Sequence, residues 1–154
     1  MEFENEIVDF ETSIGPWLGK TIKTIDYCLQ EVLNNEGLLL TKEQIIVLKR
    51  LKDQDGLNQN ELAFLTLRNK SSLTRLLIKM ENKKYIIRKQ SKTDKRVNNV
   101  FLSDLGREVF EKAKPVIKYM LETMEQNITK EEKDQTIEVL KKIQFNFNSK
   151  IESF

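Results

Sequence analysis

Apolar side chains recur along the chain at helical spacing, and polar or glycine-containing segments separate the recurring patterns. Between Leu18 and Val32 the apolar positions follow at alternating steps of four and three, which is typical of a helix that packs along a second helix. The whole pattern predicts six helices: about Gly15 to Asn34, Thr41 through Leu51, Gln59 to Leu65, Lys70 to about Lys83, Ser103 to Met124, and Thr129 to Phe147.

Polar residues stand at the predicted helix starts, where they can accept hydrogen bonds from free backbone N–H groups. Asn58 and Glu61 have the spacing of a capping box, Asn69 precedes the fourth helix and Ser103 precedes the fifth. Gly37 follows the first helix and can adopt the left-handed conformation that ends a helix. These local signals support the predicted boundaries.

Two short runs between the fourth and fifth helices have β character. Tyr85–Arg88 and Asn99–Leu102 contain β-branched and aromatic residues, and the polar loop Lys89–Asn98 separates them. A two-stranded hairpin is therefore expected. The predicted fold class is mostly α with a small β wing, a helix-turn-helix followed by a hairpin.

Charge is distributed unevenly along a chain whose net charge is only +2. Residues 41–103 contain 15 Lys or Arg against 6 Asp or Glu, whereas the two flanks together contain 11 basic and 18 acidic residues. A basic centre between acidic arms is typical of a phosphate-binding surface carried on a scaffold that does not bind phosphate. The alternative is an ordinary solvated face rich in Lys.

The residue inventory disfavours most catalytic chemistry. The chain has no His, which excludes His-dependent acid–base and nucleophilic catalysis and the usual mixed His/Cys zinc sites. Its five Gly cannot build a Walker loop or a dinucleotide fingerprint, and one Cys excludes an internal disulfide. We therefore expect no enzyme, no cofactor and no metal, with an enzyme based on carboxylates as an alternative. The acidic start lacks a secretory signal and no run is long enough to cross a bilayer, so we expect a cytoplasmic protein without membrane contact.

The fourth helix has two chemically different faces. Leu73, Leu76, Leu77 and Met80 share one arc, whereas Ser71, Arg75, Ile78 and Lys79 lie opposite and Ser72 and Thr74 lie on the shoulders. Short hydroxyls allow a helix to approach base edges, and Arg can bind guanine bidentately in the major groove. Alternatively, Ser71 and Ser72 serve only the first helical turn.

The tip of the predicted hairpin reads Asp94-Lys95-Arg96. Arg96 can enter a minor groove, and Asp94 can hold its guanidinium in position. The alternative is a solvated basic turn. Lys89, Lys92 and Lys95 are expected to meet phosphates. The expected DNA contacts are Lys70, Ser71, Ser72, Thr74, Arg75, Lys79, Lys92, Asp94, Lys95 and Arg96.

The segments L-T-K-E-Q, G-L-N-Q-N-E-L-A, S-S-L-T-R-L-L-I-K-M-E, I-I-R, D-K-R and L-S-D-L-G resemble, in order and spacing, the MarR family of bacterial winged-helix regulators. The resemblance covers about residues 14–145. It implies a homodimer with a helical dimerisation region at 1–40 and 104–154 and a winged helix-turn-helix at 41–103. It further implies a repressor that binds a pseudo-palindromic double-stranded DNA operator and responds to a small aromatic or phenolic effector or to oxidants. A winged helix used only for protein interaction is the alternative function.

One departure from the family concerns the end of the fourth helix. Family members usually have Gly there, whereas this chain has Asn82-Lys83-Lys84-Tyr85. A non-Gly residue must then adopt the left-handed turn, or the helix must end differently.

Two interpretations of possible sensing residues stay open. Cys28 is either an oxidation sensor or a packed core thiol, and its position beside the apolar stripe favours the packed thiol. Trp17, Tyr27, Tyr119 and Met120 are candidates for lining an effector pocket, although core or dimer packing explains them equally well.

Overall fold

A computed structural model describes residues 9–148, and it has six helices and three short strands in that range. The elements in chain order are α1 (Ile14–Asn35), α2 (Lys42–Asp53), β1 (Leu57–Asn58), α3 (Gln59–Leu65), α4 (Lys70–Asn82), β2 (Ile86–Gln90), β3 (Asn98–Leu102), α5 (Asp104–Met124) and α6 (Lys130–Asn148). The predicted mostly α fold with a small β wing is confirmed. Residues 1–8 and 149–154, at the outer ends of the predicted dimerisation region, lie outside the described range.

The chain divides into two compact units, one ending at Lys42 and the other beginning at Glu43. The first unit contains α1, which ends as the sequence predicts: Gly37 has φ +68°, and its N–H donates to the carbonyl of Asn34 at 3.0 Å. The N–H of Leu38 donates to the carbonyl of Leu33 at 2.9 Å, which completes a Schellman cap. Lys42 then pairs with Asp26 of α1 at 2.6 Å.

The prediction that Cys28 is a packed core thiol is wrong for the isolated chain, because Cys28 is exposed. On α1, Leu33 is buried and Leu29 is half-buried. Successive helical residues are separated by about 100°, so Cys28 lies away from the centre of this less exposed face although it is adjacent to Leu29 in sequence.

The second unit contains a three-stranded antiparallel sheet in the order β1-β3-β2. Ile86 pairs with Leu102 and Gln90 pairs with Asn98, so the hairpin is longer than the sequence predicts and only residues 91–97 form its loop. Strand β1 was not predicted; it pairs Leu57 with Val100. Two residues are too few for an alternating pattern, which explains why this strand has no recognisable sequence signal.

The predicted core face of α4 is confirmed. Leu73, Leu76, Leu77 and Met80 are all buried, at 8% exposure or less. Further buried apolar side chains of the second unit come from α2, α3 and the sheet, including Val47, Leu48, Leu51, Leu62, Ile86 and Val100. This core supports α4 and the hairpin from below and leaves their outer faces open.

In the segment after α4 where the resemblance leads one to expect Gly, Lys84 adopts the left-handed conformation with φ +61°. Its N–H donates to the carbonyl of Glu81 at 2.8 Å, and the N–H of Tyr85 donates to the carbonyl of Met80 at 3.0 Å. The helix therefore ends in a Schellman cap despite the missing Gly. Tyr85 belongs to this cap and not to the strand in which the sequence places it.

Helix α5 begins at the predicted cap Ser103, and α6 begins directly after Thr129, where the sequence places its start. The hydroxyl of Ser103 accepts a hydrogen bond from the N–H of Gly106 at 2.9 Å. Thr129 and Glu132 form a reciprocal box, with distances of 3.2 and 2.8 Å between side-chain oxygens and backbone nitrogens. Between residues 9 and 148, no helix combines the length and the apolar character that a bilayer crossing requires.

Candidate nucleic-acid interface

The turn between α3 and α4 is fixed by a cap at each helix start. Asn58 accepts from the N–H of Glu61 at 2.9 Å and the Glu61 carboxylate accepts from the N–H of Asn58 at 2.8 Å, as predicted. Asn69 accepts from the N–H of Ser72 at 2.8 Å, which starts α4. Leu67 stands between these helices with φ +55°, a left-handed conformation that a sequence search for Gly misses.

The hydroxyls of α4 have local partners, so the first-turn role considered for Ser71 and Ser72 is present. The Ser71 hydroxyl donates to Asn69 at 2.9 Å, and the Ser72 hydroxyl accepts from Arg68 at 2.9 Å. The Thr74 hydroxyl donates to the carbonyl of Lys70 at 2.8 Å. A hydroxyl oxygen has two lone pairs and can accept a further hydrogen bond. Local bonding and contact with a ligand are therefore compatible.

The outer face of α4 presents Ser71, Arg75, Ile78 and Lys79, all of them exposed as predicted, while Ser72 and Thr74 are half-buried on the shoulders. Ile78 is 42% exposed, an apolar position between two cations. The side chains of this face do not pack in the core, so they are accessible in the way that reading the major groove of duplex DNA requires.

The hairpin loop carries Lys92, Asp94, Lys95 and Arg96, all of them exposed. The expected contact between the Asp94 carboxylate and the Arg96 guanidinium is not found among the described residues. Instead, the Asp94 carboxylate accepts from the backbone N–H of Arg96 at 2.9 Å. An Asp side chain that accepts from the N–H two residues later forms an Asx turn. Asp94 therefore fixes the shape of the loop and does not hold the Arg96 guanidinium in position.

A polar cleft of about 380 Å³ lies between the start of α3, the first turns of α4 and the hairpin. It brings together three residues that the sequence analysis selected, Lys70, Thr74 and Arg96. It also includes Arg88 of β2, which no sequence pattern marks as a site residue, and Asn58, Gln59, Asn60 and Asn98.

Arg88 is anchored by Glu81 near the end of α4. Its Nε donates to Glu81 Oε2 at 2.6 Å and its Nη2 lies 3.4 Å from Oε1. This hydrogen bond lowers the pKa of the Glu81 carboxyl below its ordinary value of 4.5. The two residues connect the helix to the strand that follows it. Their spacing of seven residues spans a turn, so the contact has no periodic signature.

The cations predicted to bind DNA on α4 and the hairpin have no carboxylate partners among the described residues, unlike many lysines of α5 and α6. In the latter helices Lys112, Lys114, Lys118, Lys130, Lys133 and Lys141 each pair with a carboxylate. Within the described part of the chain, no salt bridge involves the six cations selected from the sequence: Lys70, Arg75, Lys79, Lys92, Lys95 and Arg96. The surface therefore keeps an uncompensated positive charge.

Comparison with known proteins agrees with this geometry. The model of the MarR family matches residues 40–97. The HTH-type transcriptional regulator SarZ of Staphylococcus epidermidis is 30% identical over 114 residues, which cover 73% of this chain and 76% of SarZ. The chain belongs to the MarR family. Members of this family are transcriptional regulators and not enzymes, and the chain is accordingly a transcriptional regulator.

Solved structures of MarR-family proteins share the fold. The S. aureus MepR–DNA complex superposes with a TM-score of 0.83 at 25% identity, covering 89% of this chain and 99% of MepR. BpsR of Bordetella bronchiseptica, whose DNA binding is regulated by 6-hydroxynicotinic acid, gives a TM-score of 0.82 at 18% identity and covers 90% of this chain and 98% of its own. The winged-helix fold expected of a MarR-family member is confirmed.

Of the four residues predicted to line an effector pocket in this MarR-family chain, two lie in the first unit and two in the second. Trp17 and Tyr27 belong to α1 and are exposed, and Trp17 lines a shallow depression with Phe10 and Pro16. In α5, Tyr119 is exposed and Met120 is buried. A larger cavity lies between α2 and α5, and none of the four candidates is among its lining residues.

Proposed function

We propose that this MarR-family regulator acts in the cytoplasm as a homodimeric repressor. It binds a pseudo-palindromic operator in double-stranded DNA and releases it when a small aromatic or phenolic effector binds. Each protomer inserts α4 into a major groove and its hairpin into the neighbouring minor groove, so that the two copies of α4 lie about 34 Å apart. In this arrangement residues 41–103 bind DNA, whereas residues 1–40 and 104–154 form the dimerisation region.

The observation that carries the proposal is the surface formed by α4 and the hairpin. Its six cations, Lys70, Arg75, Lys79, Lys92, Lys95 and Arg96, have no carboxylate partner among the described residues, while Arg75 stands beside the short hydroxyls of the same helix. Phosphates would supply the missing anions, and base edges would meet Arg75 and the hydroxyls. The proposed contacts include Ser71, Ser72, Thr74 and Asp94, the last by shaping the loop.

Selection from a random duplex library tests the DNA-binding proposal. The full chain should enrich a sequence with two inverted half-sites separated by one helical turn, and the logarithm of its affinity should fall steeply with the logarithm of salt concentration. Failure to enrich any sequence, with weak binding and a shallow salt dependence, would instead favour a winged helix that binds protein. A reporter gene placed behind the selected site distinguishes repression from activation.

The homodimer is supported by apolar surface that the isolated chain leaves open. In α6 the apolar residues Ile137, Leu140, Ile143 and Phe147 follow at steps of three and four and share one face, yet none of them is buried, and Ile137 and Phe147 are 43% and 74% exposed. In α1, Trp17 and Tyr27 are 57% and 66% exposed. A helix with an apolar face needs a partner to cover it, and a second copy is the partner that a two-fold operator requires. Sedimentation equilibrium should give twice the monomer mass, and a strictly monomeric protein would contradict this.

The cavity between α2 and α5 supports the effector proposal. It is open to solvent and has a volume of about 850 Å³, and its apolar lining includes Ile45, Ile46, Phe110, Ile117 and Leu121. Its charged lining has five cations, Arg50 among them, and two acids, Asp53 and Glu122, so the charge of the lining is positive. Cavities of this size bind small organic ligands, and an aromatic ring with an acidic group would match apolar walls and a basic rim.

An effector experiment uses substituted phenols and aromatic carboxylates as probes, with 6-hydroxynicotinic acid among them. At least one probe should bind and lower DNA affinity, and Ile117→Trp should abolish both effects by filling the cavity while it preserves DNA binding without probe. An unchanged response of Ile117→Trp would exclude this cavity.

A further inference from the structure

The polar cleft between α3, α4 and the hairpin contains cations and donors without any acid. Its three charged residues, Lys70, Arg88 and Arg96, are all basic, and none of the residues that line it is Asp or Glu. Asn60 and Asn98, whose amide side chains can donate N–H groups, also line the cleft. A concavity with this composition attracts a compact anion that has several acceptor oxygens.

Among the three cations that line the cleft, Arg88 is held in place by a salt bridge with Glu81. Glu81 engages its Nε and one Nη2 hydrogen at 2.6 and 3.4 Å, and the side chain is only 23% exposed. A guanidinium has five N–H donors, so the Nη1 hydrogens and the second Nη2 hydrogen stay available. Because Glu81 fixes the plane of the guanidinium, little side-chain entropy is lost when these donors bind an anion.

The position of the cleft identifies the anion. It lies between the helix proposed for the major groove and the hairpin proposed for the minor groove. One sugar–phosphate strand separates two adjacent grooves, and a protein that occupies both must pass over that strand. We propose that this cleft holds a phosphodiester of the operator backbone, that Arg88 binds it together with Lys70 and Arg96, and that Glu81 is the positioning residue for Arg88. The proposal rests on the proposed function and adds to it a fixed register of the protein on the duplex.

Duplexes with one uncharged methylphosphonate test the proposal, each replacing a different phosphate of the selected operator. Arg88→Ala should weaken binding of the unmodified duplex by about tenfold. It should also reduce the salt slope, which is the slope of log affinity against log salt concentration, by about one, as expected for the loss of one phosphate contact. A methylphosphonate at one particular position should weaken binding by the wild-type protein to a similar extent and should not weaken binding by Arg88→Ala any further. Additive losses at every position would overturn the assignment.

Matched variants separate phosphate binding from changes in folding or in total charge. Lys112→Ala removes one cation from α5, away from the cleft, and should leave affinity and salt slope unchanged. Arg88→Lys keeps the positive charge but replaces the forked guanidinium by an ammonium group. It should retain the salt slope while losing affinity. Glu81→Gln should lose less affinity than Arg88→Ala, should retain the salt slope and should still respond to the same methylphosphonate. Loss of that response only in Arg88→Ala supports the proposal, and an Arg88→Lys protein with wild-type affinity contradicts it.

Two further measurements distinguish an operator phosphate from free phosphate and separate failure of this proposal from failure of the proposed function. Inorganic phosphate, substituted for chloride at constant ionic strength, should not displace the operator; efficient displacement would indicate a site for free phosphate. A wild-type protein that selects no duplex would overturn the proposed function itself. A protein that selects an operator, yet shows no coupling of Arg88 to any phosphate, would overturn only the present proposal.

Discussion

Gly106 in the first turn of α5 approaches the carbonyl oxygen of Tyr85 so closely that a Cβ atom on Gly106 would lie 2.0 Å from that oxygen. The same carbonyl accepts a hydrogen bond from the N–H of Ser103 at 3.1 Å, and the hydroxyl of Ser103 donates to the carbonyl of Lys84 at 2.6 Å. The end of α4 and the start of α5 are therefore joined through backbone atoms, which have little room to shift.

We expect Gly106→Ala to lower the free energy of unfolding by about 1–3 kcal/mol, because the added methyl group forces two backbone segments apart. Urea denaturation measures the change. Gly15→Ala is the control, since nothing lies within 4 Å of a Cβ built on Gly15 in the first turn of α1. The control should be neutral or stabilising by roughly 0.5–1 kcal/mol. A Gly106→Ala protein as stable as this control would contradict the close approach.

Lys84→Gly should stabilise the protein by up to about 1 kcal/mol. Lys84 has φ +61°, a conformation that costs an L-residue energy and costs Gly almost none, although Gly also raises the entropy of the unfolded chain. Lys84→Ala separates this effect from the loss of a charge, because Ala keeps the strain. If both variants gain the same stability in thermal unfolding, the gain comes from charge and not from backbone conformation.

The elements that the sequence predicts well are those whose causes are local. Asn58, Asn69 and Ser103 each accept from an N–H three residues away, so three or four letters of sequence are enough to locate the helix starts. Strand β1 depends on contact between Leu57 and Val100, which are distant in sequence. Such a strand forms because the tertiary fold brings a partner to it, and no local pattern reveals this.

The candidate site was predictable to the same degree. The outer face of α4 follows from helical periodicity, and Arg75 and Lys79 are exposed there as expected. Arg88 was missed because its environment depends on Glu81 across a turn and on the approach of α3. Asp94 was assigned to the correct loop but to the wrong partner group, since spacing alone does not distinguish the backbone N–H of Arg96 from its guanidinium.

The contact between Glu81 and Arg88 should make stability depend on acid pH. The hydrogen bond from Arg88 lowers the pKa of Glu81 below 4.5 in the folded protein, so its stabilising effect is present above that pH and is lost as pH falls through the lowered folded-state pKa. The difference in unfolding free energy between wild type and Glu81→Gln should therefore be constant near neutral pH and shrink below about pH 4.5. The same comparison in an Arg88→Gln background should show a much weaker pH dependence. Equal pH dependence in both backgrounds would show that Arg88 is not the cause.

Arg75 and Lys95 should affect DNA binding in different ways, although both are exposed cations without a salt bridge in the described part of the chain. Arg75 stands on the outer face of α4, where a guanidinium can bind the O6 and N7 atoms of guanine, so Arg75→Ala should cost about 1–3 kcal/mol and relax base preference at one position in each half-site. Lys95 lies in the hairpin loop, and Lys95→Ala should weaken operator and random duplex by the same factor while it reduces the salt slope. Repeating the duplex selection with each variant measures the base preference, and salt titrations measure the slope. The assignment of α4 to the major groove would be wrong if Arg75→Ala left the selected sequence unchanged and Lys95→Ala altered it.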